Sequence, residues 1–197
     1  MTMKHLILGI FAISPNTLTG YSNSSEKKSE DADHTSDSSM EPSAAIGKTS
    51  ILKNTDFGGL FSHYQHLASA LSTDDNKGAA NVANGILEAL SKIETSNFNT
   101  EQRKTYNDIA SNIKENAKHI ANNGGSIAYQ REHFATLSQD FYDIAKSFGT
   151  ETPVYKVDRP MFDNKKGAIW LSSHKEVKNP YYGKAMAACG EIQEKLK

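Results

Sequence analysis

Residues 126–149 read "SIAYQREHFATLSQDFYDIAKSFG", and the spacing of their apolar side chains decides the fold class. Ile127, Phe134, Phe141 and Phe148 recur every seven residues, with Leu137 and Ile144 between them. Steps of three, four and seven put these side chains on one face of a helix. Ser126 offers the side-chain oxygen suited to a helix N-cap, and Gly149 closes the helix at little conformational cost. A helix with so apolar a stripe needs further helices to cover it.

Those helices lie immediately upstream. "NNGG" (122–125) is a stop signal, since Asn and Gly tolerate the left-handed conformation. Before it, Tyr106, Ile109, Ala110, Ile113, Ala117 and Ile120 form a second stripe, with Thr100 as its expected cap. Val82, Ala83, Ile86, Leu90 and Ile93 form a third. Phe57, Leu60, Phe61, Tyr64, Leu67, Ala68 and Leu71 form a fourth, which "STDD" (72–75) ends while capping its successor. The three connections are short, so neighbours run antiparallel. The expectation is a mainly α protein: an up-down-up-down four-helix bundle over residues 56–149.

After "GTETP" (149–153) the period changes. "VYKV" (154–157) and "AIWL" (168–171) are β-type runs, separated by turn residues that include Asn164 and Gly167. "KNPYYG" (178–183) reads as a turn, because Pro180 biases Asn179 away from the helical region. The segment carrying Met186 and Cys189 is open to two readings: a helical turn with both sulfurs on one face, or the approach to a last strand from Gly190. Residues 150–197 are therefore expected to form a small cap containing a β-hairpin, docked on the bundle.

The N-terminal side reads differently. Residues 1–20 have a short basic start and an apolar run from Leu6 to Ile13, which fits a secretory signal and is too short for a mature transmembrane helix. Residues 21–55 are rich in Ser, Asp, Glu and Lys, with almost no large apolar side chain, so they are expected to form a disordered tether. The junction resembles a bacterial lipoprotein signal in which a Cys would stand where Tyr21 stands, and Tyr21 has no thiol to acylate. Export to the periplasm or cell envelope without a lipid anchor is the expectation.

Composition narrows the function. The chain has 197 residues, a net charge of −1 and 37% hydrophobic residues, enough for one core and a small appendage. Balanced charge gives no general attraction to nucleic acid or anionic lipid. A single cysteine excludes an intramolecular disulfide and any four-thiolate metal site. HExxH, GxSxG, a phosphate-cradling glycine loop and CxxCH are all absent, so an enzyme is not expected.

What remains is sulfur. Met161, Met186 and Cys189 gather beside the sole Trp, and thioether and thiolate suit Cu(I) or another soft metal ion. The competing reading makes them buried packing material. Of the histidines, His66 and His119 point away from their apolar stripes, whereas His63 and His133 lie at stripe edges and are candidate additional ligands. His63 and His66 also form an i, i+3 pair.

The tail "RPMFDNKKGAIWLSSHKEVKNPYYGKAMAACGE" (159–191) resembles the end of the bacterial domain of unknown function 3347. The matching places are Pro160 and Met161, Gly167 to Ser172, Asn179 to Gly183, and Met186 with Cys189 and Gly190. "QREHFATLS" (130–138) is similar too, and the resemblance extends from about Phe57 to Glu194. That domain is common in Bacteroidetes, alone in exported lipoproteins or fused to periplasmic adaptor subunits of heavy-metal efflux pumps. The resemblance implies a copper- or silver-type binding module of efflux or tolerance systems, with an efflux adaptor or another envelope protein as partner. A family Cys is replaced here by Arg159, a side chain that stays protonated and cannot ligate.

Overall fold

The computed structural model describes residues 57–197, so the signal-like segment (1–20) and the tether (21–55) lie outside the described residues. Four helices come first: α1 (Phe57–Ser72), α2 (Asn76–Ser91), α3 (Thr100–Asn122) and α4 (Ile127–Phe148). Consecutive helices pack on one another, giving the up-down-up-down arrangement. Among the described residues, no helix is long and apolar enough to cross a membrane.

Local chemistry sets the ends of the helices. Asp75 caps α2 by accepting from the Gly78 amide, and Ser126 caps α4 by accepting from Tyr129. The cap of α3 is Asn99 and not Thr100: Asn99 accepts from the Gln102 amide while the Gln102 side chain accepts from the Asn99 amide. This reciprocal pair satisfies two donors, which Thr100 as first helical residue cannot do. The stop after α3 also differs from expectation. Asn123 keeps a negative φ of −119°, and its side-chain amide donates to the His119 carbonyl at 2.8 Å. The left-handed position in the bundle turns is Asp74, with φ 61°.

The stripes meet in one core. Phe57, Phe98, Tyr106 and Phe148 cluster at one end, with Phe98 contributed by the α2–α3 connection. Further along, Tyr64 stacks on Phe134 and Phe141. Each fully buried Phe or Leu contributes about 1.5–3 kcal/mol relative to leaving it in water. Leu90, Ile93, Ile109 and Ile127, at the rims of their stripes, are only partly buried.

The cap is a three-stranded antiparallel sheet, β1 (Val154–Arg159), β2 (Ala168–Ser172) and β3 (Glu191–Leu196), in the order β2-β1-β3. The β1–β2 hairpin encloses one short helical turn (Phe162–Lys165) and Gly167, whose φ of 80° favours glycine. Both readings of the sulfur segment hold in part. Met186 ends a single 3-10 turn (Gly183–Met186), and the chain then enters β3.

As an edge strand, β2 would leave backbone groups open, and α1 satisfies them. The Leu171 amide donates to the Tyr64 hydroxyl at 3.0 Å, and Gln65 donates to the Leu171 carbonyl at 3.1 Å while accepting from the Ser173 amide at 3.1 Å. Tyr64 also shares a 2.8 Å hydrogen bond with Ser138 of α4. Burial pushes its phenol above the ordinary value. Tyr64→Phe therefore strands the Leu171 amide and takes one partner from the Ser138 hydroxyl; the expected cost is about 1–3 kcal/mol, read as a lower urea midpoint at unchanged m-value.

Candidate functional site

The tail is shaped by Asn179, which is fully buried. Its side-chain amide donates to the Cys189 carbonyl at 2.7 Å, and its side-chain oxygen accepts from the Tyr181 and Tyr182 amides at 2.8 and 3.3 Å. Its backbone amide reaches the Ala187 carbonyl at 2.8 Å, and its carbonyl accepts from Gly183 at 3.1 Å. Pro180 biases Asn179 away from the helical region, and through these bonds one residue closes residues 179–189 on themselves.

Arg131 of α4 fastens this loop to the bundle. Its Nε donates to the Pro180 carbonyl at 2.8 Å; Nη2 donates to the Leu71 carbonyl at 2.8 Å and to Asp74 Oδ1 at 2.7 Å. Asp74 Oδ2 in turn accepts from the Lys184 amide at 3.2 Å, and its hydrogen bond with Arg131 holds the carboxyl below the usual range. Gly183 passes this clamp with φ 55°, where an added Cβ would stand 2.0 Å from Asp74 Oδ1. Beneath lies Tyr181, whose hydroxyl donates to the Ile169 carbonyl and whose ring packs on Phe162, Trp170 and Phe134. Gly190 is equally constrained, since a Cβ there would lie 2.4 Å from the Trp170 ring.

Met186 and Cys189 sit on this loop, and Met161 sits in the β1–β2 connection, just before its short helical turn. Met161 is 51% exposed and Met186 39%, so neither is packing material; Cys189 is half-buried. Arg159 Nη2 is 3.5 Å from Met186 Sδ, and the guanidinium lies 5.1 Å from the centre of the Tyr182 ring. The Tyr182 hydroxyl donates to the Met161 carbonyl at 3.3 Å, and the Cys189 amide donates to the Met186 carbonyl at 3.1 Å. The strand register pairs Asp158 with Glu191, which brings the end of β1 that leads to Arg159 alongside the start of β3, two residues after Cys189. Arg159 and Tyr182 thus join the Met186 sulfur to the Met161 backbone, and Cys189 adjoins them through its amide on Met186.

The histidines are placed elsewhere. His63 lies over Gly85 of α2, where an added Cβ would meet its Nδ1 at 2.5 Å. His133 belongs to the α3–α4 seam: its Nδ1 bonds Asn116 at 3.0 Å, and its ring stacks on His119 at 4.3 Å with a 6° tilt. Burial, then His119, lowers its pKa. Both are committed to helix–helix seams, and the structure does not bring them to the sulfurs. The exposed His66 lines a cleft of about 290 Å³ between α1 and the cap, together with His174. Among the described residues, no three His, Cys, Asp or Glu side chains gather to hold a metal, which leaves the thioethers with Cys189 as the donor set to weigh.

Residues 60–153 match the family model for a protein of unknown function, DUF3347. The resemblance to the domain of unknown function 3347 holds over these residues. None of the curated proteins and none of the solved structures compared with the chain matches it. The DUF3347 match runs from α1 to the residue before β1, so the tail correspondences from Arg159 onward lie beyond it. Within it, "QREHFATLS" supplies the residues that join the parts. Gln130 donates to the Asn76 and Ile120 carbonyls, Arg131 clamps the tail loop, Phe134 packs on Tyr64 and Tyr181, and Ser138 bonds Tyr64.

Gly183→Ala meets both an unfavourable backbone conformation and the Asp74 carboxylate; it should cost about 1–3 kcal/mol and shift Trp170 fluorescence as the tail loop lifts. In the α3–α4 seam, burial raises the Asp140 carboxyl from 3.8 to about 6, and its Oδ2 has no hydrogen-bond partner among the described residues. Between these values the unfolded chain has lost a proton that the folded chain keeps, so stability falls as pH rises through the window. Asp140→Asn should flatten that fall and raise the urea midpoint at pH 7. His133 acts in the opposite sense: its lowered pKa means that stability is lost as pH falls below 6.5, and His133→Gln should remove that loss.

Proposed function

We propose that the chain is a non-catalytic protein of the cell envelope that binds a soft metal ion, Cu(I) or Ag(I), through Met161, Met186 and Cys189. One observation carries this reading. Two methionines are exposed: Met161 in the β1–β2 connection, and Met186 on the loop held by Asn179 and Arg131, with the single thiol three residues beyond it. Thioethers and a thiolate suit a low-coordinate monovalent soft ion, and the thiolate supplies the compensating charge. His63 and His133 are not part of this proposed set.

Anaerobic titration of the full chain with Cu(I), in competition with a chromophoric chelator, tests the reading. One ion per chain is expected, with affinity lowered about tenfold or more, or about 1.4 kcal/mol, by Cys189→Ser and by Met186→Leu. Because the thiol must give up its proton, binding should tighten as pH rises. Unchanged affinity in both variants would sink the proposed donor set. Placement in the envelope rests on the N-terminal sequence: fractionation should recover the chain outside the cytosol, and palmitate labelling should find no lipid at Tyr21.

A second reading makes the bundle a docking module for an efflux adaptor or another envelope protein. It is supported by a groove of about 480 Å³ between α2 and α3, lined by Leu87, Leu90, Tyr106 and Ala110 with Lys114 and Lys118. Under that reading the sulfurs contribute nothing to binding, and metal titration separates the two.

A further inference from the structure

We propose that Arg159 is a cation gate on the sulfur site: its guanidinium rests on Met186 and the face of Tyr182, where an incoming soft cation must approach, and swings into water when the metal binds. This rests on the soft-metal reading above and adds how the site is controlled.

The seat is well defined but shallow. Nη2 meets Met186 Sδ at 3.5 Å, and a thioether is a weak acceptor that gives the contact up readily. The guanidinium lies 5.1 Å from the Tyr182 ring centre, a cation–π contact of the modest kind found at partly exposed sites. Against these stands Arg159 Nε, which is buried without a hydrogen-bond partner among the described residues. An unmet donor on a charged group is unfavourable, and swinging outward returns it to water. The arginine therefore closes the sulfur face with two weak contacts while carrying a penalty that opening removes.

Charge gives the gate its selectivity. A guanidinium beside Met186 repels any cation that approaches the same sulfur, and two unit charges about 4 Å apart at a protein surface repel strongly enough to change affinity by about tenfold or more. An ion that gains much from sulfur, as a soft monovalent ion does, offsets this repulsion. A hard cation gains little from thioethers and meets the same repulsion.

The test uses the full chain and Ag(I), a redox-stable soft ion, in sodium nitrate because chloride itself binds silver. Affinities are compared for the wild type, Arg159→Gln, Arg159→Lys and Tyr182→Leu. Arg159→Gln, which removes the charge, should bind about tenfold tighter or more. Wild-type affinity should rise with nitrate concentration as the repulsion is screened, and the Arg159→Gln affinity should not. Arg159→Lys should keep the salt dependence, and Tyr182→Leu, which removes the aromatic seat, should bind more tightly than the wild type. Equal or weaker binding by Arg159→Gln, with the same salt dependence as the wild type, overturns the gate and leaves the sulfur site standing. Failure of every variant to bind silver overturns the soft-metal reading itself.

Discussion

One guanidinium organises the junction between bundle and cap. Arg131 donates to the last turn of α1 at Leu71, to the turn residue Asp74 and to the tail loop at Pro180, all from a position on α4. Buried carbonyls need partners, and a planar guanidinium can serve several at fixed angles where a lysine could not. Without this contact the loop holding Met186 and Cys189 would have Asn179 to close it on itself and less to fix it to the bundle. The position of the sulfurs is thus set from a helix that carries none of them.

The legible part of the fold was the part encoded locally. Stripes such as Phe134, Leu137 and Phe141 repeat within one helix, and Ser126 sits next to the amide it caps, so sequence spacing alone conveys them. Less local features were not legible. Phe98 joins the core from a connection outside any stripe, and Asn99 outcompetes Thr100 because Gln102 answers it. Tyr64 and Gln65 meet β2 more than a hundred residues away in the chain, where no spacing rule reaches.

The candidate site divides along the same line. Residue chemistry singled out Met161, Met186 and Cys189; the fold joins Met186 to the Met161 backbone through Arg159 and Tyr182, and Cys189 to Met186 by a backbone hydrogen bond. A helical wheel put His63 and His133 at stripe edges correctly, yet it cannot tell which neighbour an edge faces. Those edges face Gly85 on α2 and Asn116 on α3. Arg159, read as a lost ligand, turns out to touch a sulfur directly. The resemblance fixed attention on that position but carried no information on what its guanidinium would contact.

The docking of β2 against α1 has a further consequence for the life of the chain before it is fully folded. β2 contains Ile169, Trp170 and Leu171 in sequence, a short β-prone run without charge; its Leu171 backbone groups are covered by Tyr64 and Gln65 and its Ile169 carbonyl by Tyr181. A molecule whose bundle has not yet formed presents that run as an open template to other copies. Order of assembly therefore matters to solubility: helix first, sheet edge second, is the sequence of events that keeps copies of the chain apart.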